Sequence, residues 1–293
     1  MPEAGEYLLT HVSFSKNEEP VLLIARDDII TPLYPLGKTF TLQFDTSARY
    51  CSGWYDMNNG ENHPCPDNSS IDSKYELCPA CQNRTGFNPA FYHATSVSKQ
   101  QEQRNLQPHF LYLAHFAKGI TKVGISYARR GNSRLLEQGA RTALVLDTFP
   151  TAHIARQYEA RIATFPGIVE NVQLRKKIEL LYQSYDKEAA IEELTTTRTS
   201  IEQALGKEVA KNDVLHLDAS YFPSGISNLS ESFDCSGAST LSGTMIGALG
   251  SLFFCWQQDT PLFLPMKKYV GYKLQLTHTG TRLALPARQI SLF

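Results

Sequence analysis

The sequence predicts an α+β protein: a small mixed sheet with helices, set between β-rich N- and C-terminal segments, beside a loop region held by four cysteines. Three observations carry this. Apolar runs of strand length occur at both chain ends. Helix-period segments with capping residues fall in the middle, between about 99 and 217. Residues 51–98 are turn-rich and hold Cys51, Cys65, Cys78 and Cys81. The expected organisation is a β domain from 1–50 and 218–293, a cysteine loop region at 51–98 and an α/β domain at 99–217.

From the N-terminus, VLLIA, a turn at Asp27–Asp28 and TFTLQF read as antiparallel β structure. HFLYLAHF and TKVGIS read as two strands joined by a tight Lys118–Gly119 turn. A short helix follows, with Asn132 or Ser133 as N-cap and Gly139 as its stop. TALVLDTF is a third strand, and Thr151 caps the helix after it, which runs to about Thr164. Two more helices are expected over Val172–Leu194 and Ile201–Lys211, broken by Thr195–Thr197, the second opening on a Ser200…Gln203 capping box. After Asp218 the chain is Gly- and Ser-rich. It then turns β-like through LFFCW, a Gln258–Thr260 turn, LFLPM and YKLQLT.

Composition narrows the class. The chain has 293 residues, 42% hydrophobic and 19% charged, as folded soluble proteins do. A formal net charge of −1 supplies no whole-molecule field to draw in a partner. The longest apolar stretch, Gly247–Trp256, is far short of the roughly 20 residues that span a bilayer. The N-terminal MPEAGEYLL is acidic where a signal peptide is basic. A cytoplasmic protein without membrane association is expected, and a reducing cytosol favours cysteines as metal ligands over disulfides.

The cysteines are spaced Cys51-x13-Cys65-x12-Cys78-x2-Cys81. The closing Cys-Pro-Ala-Cys resembles a zinc knuckle, which puts two thiolates on one tetrahedral ion. A segment with little apolar surface needs another source of order, and thiolate coordination can contribute on the order of 10 kcal/mol. Four thiolates leave no open position, so the expected zinc is structural. An iron–sulfur cluster, unrelated buried cysteines, or His63 in place of one cysteine are the alternatives. Cys235 and Cys255 read as core residues.

Candidate chemistry lies between 109 and 162. Phe110, Tyr112, Ala114 and Phe116 share one face of the first middle strand, and Lys122, Gly124 and Ser126 one face of the second. A hairpin brings Tyr112 near Lys122 and Gly124, where the missing side chain would let a substrate backbone approach. Arg129, Arg130 and Arg134 follow, as phosphate-binding candidates. Glu159 shares a helix stripe with Ala155 and Ile162, faces inward, and so needs a cation or an arginine as partner. Between Lys99 and Arg141, eight basic residues stand against Glu102 and Glu137. Taken singly, these features also fit a packed aromatic, a solvated basic face, and an ion pair of Glu159 with Arg156 or Arg161.

Tyr112, Lys122-Val123-Gly124, Arg134 and Glu159 in Tyr-Glu-Ala-Arg-Ile resemble, in order and spacing, the GIY-YIG nuclease core. The resemblance covers His109 to Asn171. Phe110-Leu111-Tyr112 stands for Gly-Ile-Tyr, and Lys122 for the second tyrosine. The resemblance implies that Tyr112 helps activate water, Arg134 binds phosphate and Glu159 holds one Mg²⁺ or Mn²⁺. A lowering of the Tyr112 pKa by Lys122 would serve that role. The whole chain is also similar to an uncharacterised bacterial family, a domain of unknown function, that pairs such a cysteine cluster with Lys-Val-Gly-Ile and Gln-Gly-Ala. The resulting expectation is a metal-dependent phosphodiesterase acting on DNA or RNA. The alternatives are a non-catalytic nucleic-acid-binding protein, and a GIY-YIG-like scaffold with other chemistry on a small molecule or aminoacyl group.

Overall fold

A computed structural model describes residues 1–72, 75–88, 91, 96–206, 208–210, 212–225, 229–258 and 260–283. The chain opens with β1 (Gly5–Phe14), β2 (Pro20–Arg26), β3 (Ile29–Leu33) and β4 (Thr39–Arg49). The cysteine region holds β5 (Trp54–Asp56), β6 (Glu61–His63) and α1 (Pro79–Thr85), and α2 (Lys99–Asn105) follows. The middle runs β7 (His109–Ala117), β8 (Ile120–Tyr127), α3 (Ser133–Gln138), β9 (Thr142–Phe149), α4 (Ala152–Ile162), β10 (Ile168–Val169), α5 (Leu174–Leu181), α6 (Lys187–Leu205) and β11 (Leu215–His216). The chain closes with α7 (Asp218–Tyr221), β12 (Phe233–Asp234), β13 (Thr240–Leu249), β14 (Leu252–Gln257), β15 (Thr260–Pro265) and β16 (Tyr272–Thr277). Among the described residues the fold is therefore mixed α+β, with three open sheets and seven α-helices. No described helix is long and apolar enough to cross a membrane.

Both chain ends build the largest sheet, in the order β12-β15-β14-β13-β4-β16-β1-β2-β3. The Asp27–Asp28 turn closes the β2–β3 hairpin with both residues at positive φ, the geometry that matches strand twist. Strand β13 lies inside this sheet, between β14 and the central β4, but was not expected from the sequence. Glycines at 243 and 247 dilute its apolar pattern, yet both are needed. A Cβ at Gly243 would stand 2.1 Å from the Trp256 carbonyl oxygen, and one at Gly247 2.2 Å from that of Tyr221.

The second sheet has the order β10-β8-β7-β9-β11. Its central strand β7 is buried on both faces, which is why HFLYLAHF reads as a near-continuous apolar run. One face, with Phe110, Tyr112, Ala114 and Phe116, joins the core of the nine-stranded sheet. The other face, with Leu111 and Leu113, packs under α4 and α6 through Ala155, Ile162, Leu194 and Ile201. The two sheets thus share one core across one face of β7, and a separate core lies against its other face.

The local signals hold at α3 and α4. Gly139 ends α3 in the left-handed region at φ 75°, and the Thr151 hydroxyl accepts from the Ile154 N–H at the start of α4. Asn132 does not cap α3 through its side chain; its amide donates to Glu18 Oε1 at 2.8 Å. The helical breaks are also elsewhere than expected. The first helical stretch stops at Leu181, and α6 runs unbroken through Thr195–Thr197 to Leu205. Asp186 caps its start and Gly206 its end, while the Thr199 and Ser200 hydroxyls bond back to the Thr195 and Thr196 carbonyls. The cost of three threonines is a few tenths of a kcal/mol each, and inward packing of Ala190, Leu194 and Ile201 overrides it. Ser200 therefore lies inside a helix and makes no capping box. Lys211, the expected end of that stretch, and Asp259, in the expected turn before LFLPM, lie outside the described residues.

Candidate functional site

The four cysteines of the loop region come together. Their sulfur atoms all lie within 4.8 Å of one another, and all four side chains are buried and free of disulfides. Cys65 Sγ and Cys78 Sγ are 3.9 Å apart, close to the roughly 3.8 Å edge of a tetrahedron with metal–sulfur bonds of about 2.3 Å. The Cys78 N–H donates to Cys51 Sγ at 3.1 Å, which lends that sulfur thiolate character. Pro79 opens α1 directly after Cys78, so the first helical turn carries Cys81 back toward the cluster. Burial opposes ionisation of the Cys51 thiol, and the Cys78 N–H works against that penalty. This donor set fits a metal ion with a closed coordination shell. His63 is not part of it; its ring stacks on Trp54 at 4.2 Å.

The second constellation sits where β7, β8, α3 and α4 meet. Tyr112 is opposite Gly124 across the β7–β8 pair, and Lys122 is two residues along on β8. Tyr112 is fully buried, and its hydroxyl has no hydrogen bond of good geometry among the described residues. Burial raises its pKa, and the Arg134 guanidinium beside it only moderates the rise, so the expected lowering by Lys122 does not occur. The opening at Gly124 is also filled from within, by the Tyr112 ring and not by a route for substrate. Lys122 is itself half-enclosed, with a pKa lowered first by burial and then by Arg134, and its ammonium donates to the Glu170 carbonyl.

Glu159 is on the buried stripe of α4 with Ala152, Ala155 and Ile162. Its partner is Arg156, at 2.5 Å, and Arg156 reaches on to Glu170 at 2.8 Å. Burial outweighs Arg156 and raises the Glu159 carboxyl above its ordinary range. The basic stretch divides. Arg130 pairs with Glu137, which also accepts from Ser13 Oγ at 2.6 Å and so ties α3 to β1. Arg134 approaches Glu137 less closely, at 3.6 Å. Arg129 is exposed, and Arg141 is engaged by Asp218 at 2.6 Å, away from this site.

A cleft of about 820 Å³ joins the two constellations. Arg130, Arg134, Arg156 and Glu159 line one wall; Tyr112, Lys122 and Gly124 do not line the cleft, Tyr112 lying beside Arg134 and Gly124, and Lys122 near Arg134 and Glu159. The opposite wall is the cysteine region, with Trp54, Tyr55 and Phe87, and β1 contributes His11. His11 sits at a β-bulge in the β1–β2 pair, a device that re-aims a side chain. Its ring is exposed to the cleft, yet the surrounding protein walls desolvate it and lower its pKa from the usual 6.5 against the opposing pull of Glu137 and Glu76. His11, Phe87 and Glu170 were not singled out from sequence, and Arg104 entered only as one of the eight basic residues between Lys99 and Arg141. They reach the site from segments far apart in the chain, and no local pattern marks them.

No curated protein and no solved structure matches the chain. The model of one family, described as a protein of unknown function (DUF2797), matches residues 43–274, from β4 to β16. That span covers about four-fifths of the sequence and takes in the cysteine cluster and every part of the cleft except the β1–β2 residues such as His11, so the chain belongs to the DUF2797 family.

Proposed function

We propose that this protein is a metal-dependent phosphodiesterase acting on nucleic acid through a GIY-YIG-like core, with a structural zinc on Cys51, Cys65, Cys78 and Cys81. The observation that carries the reading is the placement of Arg134 and Glu159 on one wall of a large cleft, with Lys122 and Tyr112 close to them. Arg134, only loosely held by Glu137, keeps donors free for a phosphate oxygen. A Mg²⁺ or Mn²⁺ held by Glu159 would polarise that phosphate. Arg129 and Arg130, on the turn between β8 and α3, would extend the phosphate contacts. Tyr112 packs beside Arg134, and its buried hydroxyl, with a pKa raised by burial, is a poor proton acceptor. His11, accessible across the cleft and neutral at pH 7, is the better one.

The test is cleavage of labelled single- and double-stranded DNA and RNA with Mg²⁺ or Mn²⁺, comparing wild type with Glu159→Gln. Metal-dependent products from wild type alone support the reading. A second reading, binding without cleavage, is favoured by one contact: Arg156 already occupies Glu159. Salt-sensitive binding with no products from any substrate would select it.

A further inference from the structure

The aromatic wall of the cleft has an unusual member. Phe87 is 56% exposed, directly after Gly86 at the end of α1. Lone exposed apolar side chains are ordinary on protein surfaces. This one differs in how its backbone is held. On one side the Ser98 hydroxyl donates to the Gly86 carbonyl at 2.8 Å. On the other, the Gln101 side chain accepts from the Asn88 N–H at 2.8 Å and donates to the Asn88 carbonyl at 2.7 Å. Gln101 is itself only 1% exposed, so a buried amide is committed to fixing this turn. The turn presents an aromatic ring to the cleft from a pinned backbone.

The facing wall has a matching character. Its arginines are largely offset, Arg130 and Arg134 by Glu137 and Arg156 by Glu159 and Glu170. A long duplex needs an open, strongly basic surface, with specific interfaces of about 1,000–2,500 Å². A cleft of about 820 Å³ belongs to the class that encloses a small ligand or a few linked residues. Single strands are held by cationic groups along the backbone together with aromatic rings on which unpaired bases stack, and this cleft sets Arg130 and Arg134 opposite an exposed aromatic ring.

We propose that the cleft takes a short single-stranded stretch of nucleic acid, with bases stacked on Phe87 and the cysteine-region wall and phosphates against Arg134 and Arg130. This rests on the reading that the cleft handles nucleic acid, and it specifies the substrate class. Zinc-bound full-length protein is titrated, without added divalent metal, into labelled single-stranded RNA, single-stranded DNA, and the same strands annealed to their complements. Binding is read by fluorescence anisotropy at two salt concentrations. Single strands should bind at least about ten-fold tighter than duplexes, with a shallow salt dependence of one or two phosphates. Phe87→Ala should weaken single-strand binding on the order of ten-fold, and Phe87→Trp should retain it. Exposure of Phe87 keeps both variants foldable. A preference between the RNA and DNA strands reports contact with the 2′-hydroxyl. Equal or tighter binding of duplex, or an unchanged Phe87→Ala, overturns the single-strand assignment while leaving nucleic-acid binding standing. No binding to any of the four overturns both.

Discussion

The Tyr112 hydroxyl lies against the α-carbon of Gly124: a Cβ there would stand 2.5 Å from that oxygen and 2.6 Å from the ring carbon bearing it. Gly124 is thus required by the protein's own core. Gly124→Ala should destabilise the fold by about 1–3 kcal/mol through overpacking of a fully buried ring. Tyr112→Phe should be neutral or stabilising, because it removes a buried hydroxyl with no good partner. Urea midpoints of both variants measure this. A Gly124→Ala protein as stable as wild type would show that the ring can move aside.

The cysteine cluster predicts one tightly bound zinc per chain. Metal analysis of purified protein should give a stoichiometry of one, and Cys78→Ser or Cys81→Ser should abolish it. Strong chelation should then loosen the wall of the cleft formed by β5, β6 and α1, since few apolar groups beyond Ile71, Leu77 and Trp54 pack around the cysteines. Hydrogen exchange over residues 51–88 should rise on chelation while β7 remains protected. Uniform protection with and without metal would show that the region holds itself.

How far these features were legible from sequence follows from their range. The β7–β8 hairpin, the Gly139 stop and the Thr151 cap depend on neighbours within a few residues, and the sequence pattern reaches that far. The cysteine cluster was legible because only one residue type makes it. The break at Thr195–Thr197 was misread because intrinsic propensity is worth tenths of a kcal/mol while burial of Leu194 and Ile201 is worth far more. Strand β13 was hidden by glycines whose need arises from close backbone approaches, of Trp256 on β14 at Gly243 and of Tyr221 on α7 at Gly247. The cleft lay beyond reach altogether, since His11 and Arg134 face it across more than 100 residues of sequence.

Glu159 separates function from stability. Its carboxyl is raised by burial despite Arg156, so the charged form is disfavoured in the folded state relative to the unfolded one. Glu159→Gln should therefore leave the melting temperature unchanged or raise it, with Glu170 still holding Arg156. Under the proposed function the same variant should lose turnover. A large fall in melting temperature would mean that the Arg156 pair outweighs the cost of burying the charge.

Acid should loosen the fold before the carboxylates titrate. His109 and His115 are buried, and burial lowers both pKa values below the ordinary 6.5; Arg104 adds to the effect at His109, and Glu193 opposes it at His115. The unfolded chain thus binds more protons than the folded one once pH falls through 6.5 toward the folded values, and stability declines with pH there. Urea midpoints at pH 7.5 and 5.5 should differ, the lower pH being less stable. A flat response over that interval would mean these imidazoles gain charge in the folded state without penalty.

Tyr221 sets the position of α3, and through it of Arg134. Its fully buried hydroxyl lies 2.9 Å from the Ala140 carbonyl oxygen and 3.0 Å from that of Leu136, at the C-terminal end of α3 where carbonyls lack helical partners. Tyr221 belongs to α7, whose Ser220 hydroxyl donates to Glu18, while Asn132 at the other end of α3 donates to the same carboxylate. Helix α3 is thereby held at both ends by the larger sheet and its connections. Tyr221→Phe keeps the ring but removes the donor at the Ala140 carbonyl, while Leu136 keeps the Gly139 N–H, and should cost about 1–3 kcal/mol. Hydrogen exchange should increase selectively over Leu135–Ala140. If the cleft works as proposed, affinity for nucleic acid should fall although Tyr221 does not line it, because Arg134 would lose its fixed position. Unchanged exchange in α3 would show that the Ser13–Glu137 contact alone suffices to seat the helix.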